Sequence, residues 1–546
     1  MAESMLLADL VANAATRCAH RVALTSSVGD LSYGELHQNI SACASGLVGL
    51  GLGRGERIAI YLDKRFETVV ASFGACAAGM VFVPINPVLK PEQVMHILRD
   101  CGVSLLLSTP ERLRSLGSAL NACEALRYVV HVGPSDARET RPAACQHMAW
   151  EQLLGWPPRA GHRVIDADMA AILYTSGSTG RPKGVVLSHR NLVVGAKSVS
   201  SYLGNNEQDV LLAALPLSFD AGFSQLTTAF HVGAKVVLLN YLLPRDLLIS
   251  LAEHRVTGLT AVPPLYMQLA QLEWPKEAVQ HLRYFANTGG RMPRVTLDLL
   301  RKRLPASQPF LMYGLTEAFR STFLAPSEVD RRPDSIGKAI PNAEVLVLRE
   351  DGSECADDEP GELVHRGALV GMGYWGDAAG TAERYRPLPS TFAGRGSGLC
   401  VPEYAVFSGD SVRRDSDGFL YFLGRKDEMI KTSGYRVSPT EVEEVLYASQ
   451  LVAECAAFGV EHATLGQAIQ VCATAVAPAT ELDVSALLQL CRQHLPAYMV
   501  PAGFELWSGP LPRNPNGKID RKTLAARWHA RQGRTDASVQ AQGASR

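Results

Sequence analysis

The chain of 546 residues has room for several domains at about 100 to 200 residues each, so it can bury more than one sizeable core. Its 53 Lys and Arg against 54 Asp and Glu leave a formal charge of −1; no global field draws it to nucleic acid or an anionic membrane, and any nucleotide contact is local. With 47% apolar and 20% charged residues it excludes disordered, collagen-like and coiled-coil architectures and reads as a large soluble protein, an enzyme by expectation.

The N-terminus, Met1 to His20, carries Glu3 and Asp9 and no basic stretch before its apolar part, so it lacks the look of a secretory signal. A helical pattern from Leu31 to Leu50 leads to a strand-like run, Arg57 to Tyr61. Between Glu67 and Lys90 there is no charge, and the stretch approaches the length of a membrane span, about 20 residues. Gly74, Gly79, Pro84, Asn86 and Pro87 punctuate it, however, and divide it into a helix, Glu67 to Ala78, and a strand, Met80 to Ile85. A helix over Lys90 to Asp100 and strands over Ser104 to Leu107, Tyr128 to Val132 and Val236 to Asn240 continue the alternation. That is the pattern of α/β layers with largely parallel sheets. From about Gly361 short strands and turns take over, and Ser438-Pro-Thr-Glu441 opens a helix-rich α+β part. The expected division is a large N-terminal domain, residues 1–425, a small mobile α+β lid domain, 426–530, and a disordered tail, 531–546. The eleven cysteines are scattered with no Cys-x-x-Cys pair, which reads as reduced, mostly buried thiols of a cytoplasmic protein.

Chemistry concentrates in Tyr174 to Gly184, YTSGSTGRPKG, between apolar strand-like runs. Its glycine backbone and hydroxyls can wrap phosphate oxygens: Thr175, Ser176, Gly177, Ser178, Thr179 and Gly180 supply donors, and Lys183 a compact positive charge. The spacing is neither a Walker A loop nor G-x-G-x-x-G, and both flanks read as strands rather than a strand followed by a helix.

This loop resembles the phosphate-binding signature of the acyl-adenylate-forming superfamily: acyl-CoA synthetases, peptide-synthetase adenylation domains and luciferases. Further motifs follow in that family's order, from Leu31-Ser-Tyr-Gly-Glu-Leu36 to Asn516-Gly-Lys-Ile-Asp-Arg521. Tyr313-Gly-Leu-Thr-Glu317 resembles the adenylate motif; the likeness implies that Tyr313 stacks on adenine, Thr316 sits by the α-phosphate and Glu317 holds Mg²⁺. Ala286 to Pro293 resembles the loop against adenine, where Gly289 and Gly290 allow close backbone approach, although a plain turn explains them locally. Phe407-Ser-Gly-Asp410 resembles the ribose-binding element, with Asp410 accepting from both hydroxyls and Ser408 where Thr is usual. Leu423 to Lys431 resembles the interdomain hinge, with Arg425 reaching ribose or phosphate and Asp427 as pivot; Gly434 would line the thiol tunnel. Pro512 to Lys518 resembles the C-terminal catalytic loop, with Lys518 bridging carboxylate and α-phosphate.

In Leu215 to Phe223, LPLSFDAGF, Phe219 takes the place of a His common in acyl-CoA synthetases, and Asp220 follows. The Phe-Asp pair resembles amino-acid-activating domains, in which that Asp binds the substrate's amine. An Asp that caps the next helix or pairs with Arg320 explains the residue as well. Other runs, such as YGLTEAFRST and DEMIKTSGYRVSPTEVEEVLY, are similar to a bacterial subgroup of acyl-CoA ligases linked by name to exosortase gene neighbourhoods.

The resemblance implies an enzyme that activates a carboxylic acid with ATP and Mg²⁺ and passes it to coenzyme A. The alternatives are an amino-acid adenylation enzyme loading the phosphopantetheine of an acyl or peptidyl carrier protein, and a nucleotide-binding scaffold without catalysis. A membrane span and a nucleic-acid partner are not expected.

Overall fold

The computed structural model describes residues 3–134, 145–176, 182–389, 401–426, 428–432, 435–462, 465–476, 482–514 and 517–531. Gly177, Ser178, Thr179, Gly180, Asp427, Gly434 and residues 532–546 of the expected tail lie outside them. Arg531, the first residue of that expected tail, is helical and pairs with Glu505.

Among the described residues, two large sheets enclose a layer of helices. The nine-stranded sheet runs, in spatial order, from Lys338–Ala339 through Thr322–Leu324, Gln308–Tyr313, Tyr284–Asn287, Gly258–Ala261, Val210–Ala213, Lys235–Leu238 and Val22–Ser26 to Gly29–Ser32. The seven-stranded sheet holds Arg57–Tyr61 and Val81–Pro84 at its middle and ends in the antiparallel hairpin Met169–Ser176 and Pro182–Ser188. Strand periodicity creates the layering. Leu211 and Ala213 face the same core as Ile58 and Ile60, while Leu212 and Ala59, one residue on or back, face two separate outer cores. Both faces of the parallel strands are thus covered, which is why these runs are apolar throughout rather than alternating.

The helices Tyr33–Gly49, Phe66–Ala78, His189–Leu203 and Asp220–Val232 contribute to the shared central core. The uncharged stretch after Glu67 is the helix Phe66–Ala78 and the strand Val81–Pro84, both buried; no described helix is long and apolar enough to cross a membrane. Phe73, Phe82, Phe223 and Phe230 interlock there, with Phe82 and Phe223 centroids 4.7 Å apart. Each such ring contributes on the order of 2 kcal/mol by leaving water. Ser32 starts its helix with a reciprocal cap: its Oγ accepts from Glu35 N–H and its own N–H donates to the Glu35 carboxylate.

A third sheet joins Ala343–Leu348, Gly361–Gly367, Tyr404–Arg414, Tyr385–Pro387 and Leu420–Arg425. Beyond Arg425 a five-stranded sheet with the helices Pro439–Ala448 and Val484–His494 closes over its own core, including Ile430, Val442, Leu446, Val471 and Leu487. Layered α/β sheets followed by a small α+β unit is the expected fold class. The described cysteines are free thiols, all buried but Cys145.

Two histidines lie fully inside. His189 Nδ1 accepts from Leu7 N–H, and His365 Nδ1 meets Ser321 Oγ; the Nε2 of each is buried without a partner. Burial pushes both imidazoles down to about 4, against Asp168 in the case of His189. The unfolded chain therefore binds protons near pH 6.5 that the folded chain refuses until about 4. Stability is fully present above pH 6.5 and falls as pH drops toward 4, by about 3 kcal/mol per histidine. Thermal unfolding across that range should show a falling midpoint, and His365→Gln should flatten the slope; a slope unchanged by the substitution would assign acid sensitivity elsewhere.

Candidate active site

The cleft forms at the carboxyl ends of neighbouring strands of the nine-stranded sheet, where open α/β sheets place their ligands. Tyr313 ends Gln308–Tyr313, Gly289 and Gly290 follow Tyr284–Asn287, and Phe219 and Asp220 follow Val210–Ala213. Phe219 is the last extended residue before the helix Asp220–Val232 and offers no side-chain cap; Asp220 occupies the first turn, where the helix dipole favours a carboxylate. The capping explanation of Asp220 therefore fails in its strict form. The pairing explanation holds: the Arg320 guanidinium stands 3.9 Å from Asp220 Oδ2, and Thr316 Oγ1 donates to Oδ1 over 3.4 Å. Burial raises the Asp220 carboxyl, and Arg320 and Lys518 hold it back.

Across the cleft, Asp410 and Arg425 are register partners on adjacent antiparallel strands, with Arg425 Nε 3.7 Å from Asp410 Oδ1. Tyr313 OH donates to Asp410 Oδ2, while Oδ1 is buried without a hydrogen bond. Burial raises the Asp410 carboxyl, opposed chiefly by Arg425. Ser408 does the work expected of a hydroxyl there: its Oγ accepts from Asp410 N–H at 3.0 Å and donates to Leu363 O at 2.7 Å.

The hairpin brings Thr175 opposite Lys183, so the two described ends of the glycine-rich loop meet as strands, as the flanks suggested. The backbone of Ser176 pairs with Pro182. Lys183 Nζ pairs with Asp377 at 2.9 Å and lies over the Tyr374 ring. Its charge keeps the Asp377 carboxyl below the ordinary range. Glu317 Oε1 accepts from Tyr374 OH at 2.6 Å, and Arg384, which donates to Phe407 O, adds a cation facing Glu317 and Arg425. Asp377, Tyr374 and Arg384 escaped sequence reasoning, because their partners are many residues away and no local spacing marks them.

Lys518 closes the arrangement from the C-terminal unit. By surface it is open to the cleft, yet protein surrounds it: its Cε lies 3.5 Å from where a Cβ on Gly289 would stand, and its charge faces Asp220, Asp410, Arg425 and Glu428. The crowded setting lowers the ammonium's pKa, with Asp220 the first carboxylate to oppose the shift. Gly289 has φ +77°, a left-handed backbone that favours glycine over any residue with a side chain. The Lys518 loop is anchored by Arg521, which forks onto Glu443 and reaches Glu428, and by Asn514 Oδ1 accepting from Lys518 N–H. Arg291 in the large unit pairs with Glu444 in the small one at 2.5 Å, holding the two together.

Two family models cover most of the chain: AMP-binding enzyme over residues 11–375 and AMP-binding enzyme C-terminal domain over 441–518. The chain belongs to the AMP-binding enzyme family. It is 28% identical over 95% of its length to a long-chain-fatty-acid–CoA ligase of Salmonella typhimurium, covering 94% of that protein. It is 32% identical over 90% of its length to an L-proline–[L-prolyl-carrier protein] ligase of Streptomyces coelicolor, covering 91% of it. Among solved structures, ATP-bound MatB from Rhodopseudomonas palustris aligns with a TM-score of 0.81 at 25% identity, over 95% of this chain and 99% of that one.

In this AMP-binding enzyme, Ser408 couples the backbone to Asp410. Ser408→Ala should cost about 1 to 3 kcal/mol of stability by orphaning buried groups and should weaken AMP binding, whereas Ser408→Thr preserves both. Denaturant unfolding and calorimetric titration with AMP check this; equal losses in the two variants would show that the hydroxyl is not what matters.

Proposed function

We propose that this chain is an ATP-dependent acid-thiol ligase: it activates a carboxylic acid as acyl-AMP, releases pyrophosphate, and transfers the acyl group to the thiol of coenzyme A. ATP, Mg²⁺ and coenzyme A are its cosubstrates and cofactor. The observation that carries this reading is the meeting of Lys518 with Asp220, Asp410 and Arg425 in one cleft. Lys518 lies 93 residues beyond Arg425 in the chain, and the two cations share the cleft despite repelling each other. An anionic ligand between them offsets that repulsion.

The residues suit a nucleotide. The buried Oδ1 of Asp410, which accepts no hydrogen bond, offers an acceptor for ribose hydroxyls, Tyr313 presents a ring at the strand end, and Thr175 and Lys183 flank the phosphate loop. Glu317 would hold Mg²⁺, which supplies neutralising charge at the phosphates. As the acid's oxygen forms its bond to the α-phosphorus and the bond to the pyrophosphate oxygen breaks, two anions are pressed together. Lys518 and Arg425 are the charges placed to stabilise that approach, and Thr316 stands beside them on the substrate side. In the second half-reaction the C-terminal domain, from Lys426, turns about Asp427, withdraws Lys518 and brings Gly434 to the thiol path. A cytoplasmic location and the exosortase-associated lineage complete the proposal without naming an acid.

Asp220 and the prolyl-carrier ligase likeness favour a second reading, amino-acid activation with transfer to a carrier protein. Arg320 argues against it, since an ammonium at Asp220 would share that carboxylate with a guanidinium already 3.9 Å away.

A pyrophosphate-release screen of fatty, aromatic and amino acids, each with and without coenzyme A, tests both. Thioester formation with simple acids is expected; exchange stimulated by amino acids alone would decide for the second reading, and no release with any acid would leave a scaffold. Lys518→Ala should lower adenylation about 10²- to 10³-fold while thioester formation from preformed acyl-AMP survives, because the lysine serves the first step. Equal loss of both steps would refute the two-conformation assignment.

A further inference from the structure

Away from the catalytic cleft, an open cleft of about 480 Å³ lies between the helix Pro244–Glu253, residues 237–240 at the end of the strand Lys235–Leu238, and Ser26 and Ser27 at the end of Val22–Ser26. It is of ligand size, and none of its lining residues belongs to the site described above. Asp246, Ile249, Ser250 and Glu253 share the helix face that walls it. Much of the surface is apolar: Val237, Leu238 and Leu239 line it beside Ile249, and Leu242 and Leu243, exposed just before the helix, extend an apolar rim.

Lys64 stands in the wall of this cleft. Asn240 clamps its backbone, with Oδ1 accepting from Lys64 N–H at 3.1 Å and Nδ2 donating to Lys64 O at 2.8 Å. The side chain spends one N–H: Nζ donates to Ala214 O at 2.8 Å and lies 5.7 Å from the centre of the Tyr241 ring. Among the described residues it has no ion-pair partner. Asp63 is taken by Arg112, Asp246 accepts from the N–H groups of Leu242 and Leu243, Glu253 is exposed at the helix end, and His254 brings no negative charge. Burial therefore pushes the ammonium down to about 7, with Asp63 opposing the fall. Near neutral pH about half of the Lys64 side chains are free amines, against about one in 2,500 for an ordinary lysine.

Resting on the ligase reading above, we propose that Lys64 is an internal acyl acceptor: when no thiol consumes the acyl-adenylate that this enzyme makes, released adenylate acylates the Lys64 amine in this cleft. The Nζ lone pair attacks the acyl carbonyl carbon, the N–C bond forms, and the C–O bond to the phosphate breaks. AMP leaves with that electron pair, and the surplus proton on nitrogen passes to water. A desolvated amine in an apolar setting is the state in which lysine serves as a nucleophile. The cleft suits the product as well as the attack. Its apolar surface has room for an acyl chain, and Asp246 and Glu253 disfavour a lasting anion, so AMP departs and a neutral amide stays. The amide keeps one N–H, the number that Lys64 spends on Ala214 O, so acylation sacrifices no hydrogen bond while removing a buried charge.

Peptide mass spectrometry of the wild-type chain reads the outcome in two arms, both at pH 7 without coenzyme A. With chemically prepared hexanoyl-AMP, Lys64 should be acylated about 10²-fold faster than the exposed Lys276 and Lys302, the gain in free amine being partly offset by lower basicity. Its rate should fall about tenfold per unit below pH 7 and level off above about pH 8, while theirs keep climbing. A rate no faster than those two, or one rising in parallel with them through pH 9, overturns the proposal. With ATP, Mg²⁺ and an acid that releases pyrophosphate, the same lysine should be acylated, and added coenzyme A should suppress it. Pyrophosphate release that leaves Lys64 bare overturns the proposal while the ligase reading stands. No release with any acid overturns the ligase reading instead, and the two failures are told apart because the hexanoyl-AMP arm needs no ligase activity. Lys64→Arg should keep pyrophosphate release and lose the main acyl adduct; an undiminished adduct in that variant overturns the assignment to Lys64.

Discussion

The cleft works under one constraint, the gathering of several cations and carboxylates out of water. Lys518, Arg425, Arg384 and Arg320 converge on Asp220, Asp410 and Glu317, while Lys183 is matched separately by Asp377. The pairs that fall within 4 Å, Asp410 with Arg425 and Asp220 with Arg320, are each worth about 4 kcal/mol of attraction at the screening typical near a protein surface. Burial raises both carboxyls against the pull of these partners. A site left in that condition is completed by an anion that brings its own phosphates, and this is why a chain of net charge −1 can handle a nucleotide without any basic face.

The fold meets this constraint by drawing the charges from separate units. The nine-stranded sheet supplies Tyr313, Gly289 and Asp220 at the carboxyl ends of its strands; the third sheet supplies Asp410 and Arg425; the C-terminal unit supplies Lys518. Rigid pairing in the first two fixes their members to within a register step. Lys518 is held instead by its anchors, Arg521 on Glu443 and Asn514, and by the bridge of Arg291 to Glu444. Burial pushes Glu444 up to about 7 even beside Arg291, so that bridge is a weak latch near neutral pH. A weak latch suits a unit that must let go between two half-reactions.

Much of this was legible in residue order. Apolar runs such as Arg57–Tyr61 and Leu105–Ser108 showed continuous burial rather than alternation, which is what parallel strands between two helical layers require. The motif around Asp410 was readable even with Ser408, because the hydroxyl, not the methyl, makes both of its contacts. Contacts closed by the third dimension were hidden. Lys183 finds Asp377 across 194 residues, and Glu317 finds Tyr374 across 57; neither spacing carries a signal in one sequence. The γ-turn at Phe319 was hidden for another reason, since a phenylalanine is among the last residues that propensity would place at positive φ. Only the space left by Gly195 makes the conformation tenable.

That turn also explains why Asp220 and Arg320 stop short of each other. Had the guanidinium closed on the carboxylate as a bidentate fork, both groups would be satisfied and Asp220 would have little left to offer Lys518. The hydrogen bond to Thr288 and the locked backbone hold Arg320 at 3.9 Å instead, close enough for mutual electrostatic support and too far for a hydrogen bond. The carboxylate thereby keeps its place between Arg320 and Lys518. Asp220 therefore stays in the field of both cations without being spent on either, which keeps a buried carboxylate at the point where Lys518 arrives from the other unit.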